Sequence, residues 1–396
     1  MTTIFSIETS ADETAAAVTS VRRVLSNVVY SQILLHKKWG GIFPSVAKRA
    51  HEERIDLVIN ETILKYHKNF LSNELVPSAL GERTLVPRSS SESEGSYRRS
   101  LTQTSIPENF SDIFSNKIDF IAVTQGPGLA VALEVGIQKA KELAKKYNKK
   151  VIAVNHLEGH IYSSFVQNSA GNPSHEFRFP YLALIISGGH TEIVRFEDHV
   201  KYKVLGSTRD DAAGEALDKA AKMLGLGYPG GPVIERLAKE ADNKEFHRFP
   251  RPMIGSNNLD FSFSGLKTSL LYYLQTIPEH ERKSYLKQVA SSYQNAVFDT
   301  LIRKTKRAII QTGIPRVVVG GGVSANFYLR KLLRHLLKEH KGEVYFPSFP
   351  YLTGDNAAMI GVAAYYKAKK GIFYPDLEML DRIPRMILGE EVKLKI

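Results

Sequence analysis

The chain contains no cysteine among its 396 residues. Disulfides and thiolate chemistry are therefore excluded, and any metal site has to be built from imidazole and carboxylate donors. Long apolar runs are also missing. No stretch reaches the ~18 residues that a membrane-spanning helix needs, so no membrane partner is expected. Met1 to Ile4 leads straight into a strand, with no basic leader, Arg/Ser-rich presequence or cleavage site ahead of it, and a cytoplasmic chain is expected. Neither a Walker A box nor a Gly-x-Gly-x-x-Gly turn occurs. Aromatic stacking motifs of the RNA-recognition kind are absent as well. Acidic residues are in deficit: 41 Asp and Glu stand against 53 Lys and Arg, a net charge of +12. That balance favours a polyanionic partner, nucleic acid first.

What is present is an ordinary globular composition, 43% hydrophobic and 24% charged, long enough for two or three domains. Thr3 to Glu8 reads as a strand, with Ala15 to Val18 as its hairpin partner. Ala47 to Leu64 is helical by period, with Ile55, Val58, Ile59 and Ile63 on one face. From Asn73 to Asn109 the composition turns to Ser, Pro, Arg and Glu, and a flexible insertion is expected there. Ile118 to Val123 is a buried strand running into the turn Thr124 to Gly128 and a basic helix. Tyr181 to Ile186 opens a second half, which continues with a helix from Ala212 to Leu224. A strand from Arg316 to Val319 follows, and then a helix with Leu329, Leu332, Leu333, Leu336 and Leu337 on one face. Strands and helices alternate in both halves. The expected class is α/β, with two related domains (1–180 and 181–396) and a cleft between them, the C-terminal helix being free to pack back on the first. Basic clusters on helical patterns are candidates for phosphate contacts: Lys139, Lys141, Lys145 and Lys146; Arg303, Lys304, Lys306 and Arg307; Arg330, Lys331 and Arg334.

The most informative segment is Asn155-His156-Leu157-Glu158-Gly159-His160, just beyond the apolar run Val151 to Val154. If it is helical, His156 and His160 share a face and reach one cation. Two neutral imidazoles leave a divalent ion's charge uncompensated, so a distant carboxylate is required, and Asp355 is a candidate. Spacing alone leaves open a pair of partly buried helical histidines. The metalloprotease box is excluded, because there a Glu directly follows the first His and here Leu157 does.

Each half also presents a strand end meeting a tight polar turn: Ile7-Glu8-Thr9-Ser10 in the first, Ser187-Gly188-Gly189-His190-Thr191 in the second. Glycines let backbone N–H groups approach an anion, and hydroxyls add donors. A third loop, Gly320 to Asn326, precedes a helix whose N-terminus can face a phosphate or nucleoside. Two facing loops plus a later Gly-Gly loop resemble the actin–hexokinase–Hsp70 (ASKHA) ATPase plan.

Taken together, the chain resembles the bacterial TsaD branch of the tRNA N6-adenosine threonylcarbamoyltransferases. The segments that carry the likeness are Ile7 to Thr14, Gly126 to Leu129, Asn155 to His160, Ser187 to Thr191, Asp210 to Lys219, Tyr228 to Pro232, Phe261 to Thr268, Gly320 to Asn326 and Gly354 to Met359. They run in family order over nearly the whole chain, the insertion excepted. The resemblance implies an ASKHA fold and transfer of a threonylcarbamoyl group from threonylcarbamoyl-AMP to N6 of the adenosine beside the anticodon, in tRNAs reading codons that start with A. It implies His156, His160 and Asp355 as ligands of one divalent metal, Fe(II) first and Zn(II) second. Ser187, Gly188, Gly189, His190, Asp218, Gly231, Glu235 and Asn326 match positions that hold the adenylate. Asp12 and Glu13 are candidate catalytic carboxylates, with no general base singled out. Implied partners are tRNA, a paralogous ASKHA-fold subunit and a small P-loop ATPase. Ala11 stands where the family usually has Cys, which touches local packing and not the chemistry. A sugar or carboxylate kinase on the same plan is the rival enzyme class, and a nucleotide-dependent assembly subunit the rival outside enzymes.

Overall fold

The computed structural model describes residues 1–72, 84–85 and 110–389. The remainder of the expected 73–109 insertion lies outside the described residues. Two compact units emerge: residues 1–177 with 348–396, and residues 178–347. The segment from Ser348 onward groups with the first unit.

In the first unit the strands are β1 (Thr3–Glu8), β2 (Glu13–Ser20), β3 (Arg23–Ser31), the two-residue β4 (Thr84–Leu85), β5 (Phe120–Gly126) and β6 (Lys150–Asn155). Their order is β4-β3-β2-β1-β5-β6. β1 and β2 pair antiparallel, while β5 lies parallel to both β1 and β6. Side chains alternate between two cores, as a pleated strand requires. Phe5, Ile7, Ile121 and Val123 enter one core together with Ile55, Val58, Ile59 and Ile63 of a long helix, α2 (Pro44–Ser72), which follows the short α1 (Ile33–Lys37). Ile137 and Ala140 of α4 (Ala130–Tyr147), next after α3 (Phe110–Asn116), join the same core. Ile4, Ala15, Ala17 and Ala122 face the other core. There they meet Met359, Ile360, Val362 and Ala363 of the C-terminal α11 (Ala357–Lys369). The apolar period read at Ile55 to Ile63 is real, and the helix extends beyond it at both ends.

The second unit repeats the pattern. Its strands are β7 (Tyr181–Ile186), β8 (Thr191–Asp198), β9 (Lys201–Ser207), β10 (Arg316–Gly320) and β11 (Glu343–Tyr345), in the order β11-β10-β7-β8-β9. As in the first unit, the leading strand makes an antiparallel hairpin on one side and a parallel pair on the other. Helices α6 (Ala213–Met223), α7 (Gly230–Glu240), α8 (Ser264–Thr276), α9 (Arg282–Thr312) and α10 (Phe327–Glu339) share one core with Leu182, Leu184, Val317 and Val319. Two such mixed sheets of matching topology define an actin-like ATPase fold. Among the described residues no helix is long and apolar enough to cross a membrane.

Candidate metal centre and anion loops

The register of the parallel strands builds the centre. Ile7 pairs with Val123, and Gly126 with Asn155, so β1, β5 and β6 finish side by side. Open α/β sheets characteristically place their sites at such carboxyl ends. Asn155 ends β6 and caps α5 (His156–Tyr162), its Oδ1 accepting from Leu157 N at 2.8 Å. The cap starts a helical turn at once, putting His156 and His160 on one face with ring centroids 4.5 Å apart. Gly159 between them lets α11 approach: a Cβ there would come within 2.8 Å of Ile360 Cδ1. Asn356 caps α11 in turn, accepting from Met359 N at 3.0 Å, and holds Asp355 just ahead of it.

Asp355 Oδ1 lies 3.2 Å from His160 Nε2 and 3.5 Å from His156 Nε2. Donors about 2.1 Å from a shared ion, at tetrahedral to octahedral angles, stand roughly 3.0–3.4 Å apart. The ligand atoms of all three residues fall within 4.8 Å of one another. Both ring nitrogens of His160 are buried and make no hydrogen bond within the described residues. For Nε2 the distance to Asp355 is there but the alignment is not, so its lone pair suits a third body. The donor set fits a divalent ion.

Glu8 completes the setting, a residue the sequence reading placed in a phosphate-type turn without a role of its own. Fully buried, it sets Oε2 3.1 Å from His156 Nδ1. Thr124 Oγ1 donates to the same oxygen at 2.5 Å, and Ser10 N donates to Oε1 at 2.5 Å. With a carboxylate at Nδ1, Nε2 is the ring nitrogen left facing Asp355. Burial opposes charge on His156, but Asp355 and Glu8 outweigh it and raise the ring to about 9. Burial also raises the carboxyls of Asp12 and Glu13. Glu13 rises furthest, because Asp12 and Asp355 add their charge. The region therefore concentrates negative field, which a dication would offset. Above it, His51 of α2 pins the turn, with Nε2 3.0 Å from Ala11 O and Nδ1 2.8 Å from Thr14 Oγ1.

In the second unit Ser187 to His190 close the β7–β8 turn. Ser187 N donates to His190 O at 2.9 Å, and His190 N to Ser187 Oγ at 3.1 Å. A Cβ on Gly188 or Gly189 would meet nothing within 4 Å, so the turn's tip is open. Gly321, at φ 91°, packs against the carbonyl of Ile186 and brings the β10 loop to the same strand end. Asp218 Oδ1 accepts from Gly230 N at 2.7 Å and Gly231 N at 3.1 Å, at the start of α7. Glu235 Oε1 accepts from Phe327 N at 2.7 Å, beside Asn326. Asn326 caps α10 through Leu329 N and donates to Gln294 Oε1 at 3.0 Å. Buried Gln294 was not singled out by the sequence, since a lone Gln within a long helix carries no local signal.

The basic clusters read differently in three dimensions. Lys304 is buried and holds Ser256 Oγ at 3.0 Å and Asn258 O at 2.9 Å. Arg303 pairs with Asp299 at 2.8 Å, and Lys306 reaches Glu339 at 3.9 Å. Lys139 joins Asp56 at 2.9 Å, and Lys145 joins Glu378 at 2.5 Å. Arg330 donates to Ser324 O at 2.6 Å, and both it and Arg334 lie over the Phe346 ring. Helical spacing shows charge but not the carboxylates folded against it.

The repeated sheets place the chain among proteins of actin-like ATPase fold, and its two-histidine, one-carboxylate group could hold a metal ion. A solved structure of full-length HypF in its phosphate- and nucleotide-bound form superposes over 93% of this chain and 55% of its own, with a TM-score of 0.51 at 14% identity, a likeness of fold alone. The family model for TsaD, tRNA N6-adenosine threonylcarbamoyltransferase, matches residues 23–70 and 108–362. A protein of that description from Endomicrobium trichonymphae is 46% identical over 95% of this chain and 96% of its own length. Another, from Kosmotoga olearia, is 41% identical over 94% and 95%. The chain belongs to the TsaD family.

Proposed function

We propose that this chain transfers a threonylcarbamoyl group from threonylcarbamoyl-AMP to N6 of the adenosine beside the anticodon in tRNAs reading codons that start with A, releasing AMP. The observation that carries the reading is the convergence of His156, His160 and Asp355 in a member of this family. Bound there, one divalent ion, Fe(II) before Zn(II), supplies a Lewis acid for the carbamoyl carbonyl or the adenylate phosphate. Ser187, Gly188, Gly189 and His190 offer backbone and side-chain donors to the adenylate phosphate. Asp218, Gly231, Glu235 and Asn326 serve its nucleoside, the carboxylates accepting from ribose hydroxyls. An exocyclic adenine amine is a weak nucleophile, so positioning and electrophile activation supply most of the rate. Asp12 and Glu13, whose carboxyls are raised by burial, are the candidate acceptors of the proton that leaves N6. The partners are tRNA, a paralogous ASKHA-fold subunit and a small P-loop ATPase.

The test is a reconstituted assay with synthetic threonylcarbamoyl-AMP and an unmodified tRNA transcript, with and without those partners. Formation of the modified base by the wild-type chain, and its loss in His156→Ala, supports the reading. Full activity in His156→Ala refutes a metal-assisted step.

A further inference from the structure

Trp39 is the chain's single tryptophan, and it is half exposed. Its ring stacks on Phe43, also half exposed, with centroids 5.1 Å apart and planes at 19°. Lys38 Nζ sits 5.4 Å from the indole centre. Resting on that reading of tRNA as substrate, we propose that the Trp39–Phe43 pair with Lys37 and Lys38 is a stacking platform for an unpaired base of the tRNA anticodon loop.

Three observations converge on a nucleic-acid occupant. Most basic residues of the helical clusters are neutralised by carboxylates or bound to backbone carbonyls, as described above. Lys37 and Lys38 are exposed, and among the described residues neither has a carboxylate at ion-pair distance, so the local positive charge is available to phosphate. A flat aromatic face beside a cation is what sequence-tolerant readers of unpaired bases present, since every base has a π-face.

The platform is also tied to the metal centre's own loop. Phe43 N donates to His36 Nδ1 at 3.3 Å, and His36 Nε2 stands 3.2 Å from Gln32 Oε1. Gln32 N then donates to Asp12 O at 2.9 Å. Gly40 at φ 66° and Gly41 at φ 155° turn the chain between the two rings, which is what lets residues four apart stack outside a helix. Anticodon loops splay bases at modest cost, so a base next to the modified adenosine is available to such a face.

The lone indole is its own reporter. Titrating the full chain with an unmodified tRNA transcript should quench Trp39 emission along the same curve as binding followed by anisotropy of labelled tRNA. Trp39→Ala should weaken binding about 5- to 150-fold, the range for one stacked base. Trp39→Phe should restore most of it, and bound metal should be unchanged in both variants. Lys38→Ala should flatten the dependence of log affinity on log salt by about one unit. Binding without an emission change, together with wild-type affinity in Trp39→Ala, overturns the platform and leaves the proposed activity standing. So does quenching that follows protein concentration without RNA, which would mark a protein–protein surface. A wild-type chain that binds no tRNA either alone or with the proposed partner subunits defeats the proposed activity itself, and the platform with it.

Discussion

Glu8 Oε2 and His156 Nδ1 stand 3.1 Å apart across 148 residues of chain, joining the end of the first strand to the first turn of α5. The contact fixes which nitrogen of His156 is left to bind an ion. Carboxylate–histidine–metal arrangements of this kind typically change metal affinity 10- to 100-fold when the outer partner is altered. Glu8→Gln should therefore weaken binding of Zn(II) or Co(II) by about tenfold, and Glu8→Ala by more, in chelator competition. Far-UV circular dichroism should stay native. Unchanged affinity in both variants would mean that the ring is oriented by packing alone.

His51 gives the first unit an acid-sensitive pin. Burial lowers its imidazole from 6.5 to about 4, and the neutral ring bridges Ala11 O and Thr14 Oγ1. The unfolded chain takes up this proton near pH 6.5, whereas the folded one resists it to about 4. His51 therefore adds stability above pH 6.5 that is lost as pH falls toward 4. Thermal melts of His51→Leu should show a shallower loss between pH 7 and 5 than wild type, by at most about 1.4 kcal/mol per pH unit. The variant should also be about 1–3 kcal/mol less stable at pH 7, with two polar groups left unpaired.

Asp210 ties two of the family segments together. One of its oxygens accepts from Phe263 N at 2.8 Å and Ser264 N at 3.2 Å; the other from Ser262 Oγ at 2.5 Å and Ser264 Oγ at 2.7 Å. It caps α8 from 54 residues away. Partial burial works against the charge, and those donors override it to hold the carboxyl below 3.8. The cap's charged share is present above that value and fades as pH falls below it. Asp210→Ala should cost about 1–2 kcal/mol at pH 7 by denaturant titration, and Asp210→Asn less.

Much of this was legible in the sequence, because local signals suffice for it. Thr3 to Glu8 read as a strand, and helical period marked the stretch within α2. The histidine pair lies in one turn, so spacing alone could bring it together, and the capping Asn155 starts that turn. Glu8 was harder to read: its partner depends on β1, β5 and β6 sharing a register, which no local window reports. A charged residue closing an all-buried strand was nonetheless a signal. The strands Arg23–Ser31, Thr191–Asp198 and Lys201–Ser207 went unread for another reason. They are half-polar hairpin strands, shaped by their neighbours more than by their own pattern. The Trp39–Phe43 stack needed the Gly40–Gly41 turn, whose geometry the sequence names but does not show.

The central claim is that His156, His160 and Asp355 jointly hold one divalent ion. Its most direct test is metal stoichiometry by mass spectrometry on chain purified without oxygen and equilibrated with Fe(II) or Zn(II), wild type beside His160→Ala and Asp355→Ala. One tightly held ion per wild-type chain is expected, and its loss in both variants, with the fold intact. A full complement of metal in His160→Ala, or a wild-type chain that takes up none, would contradict it.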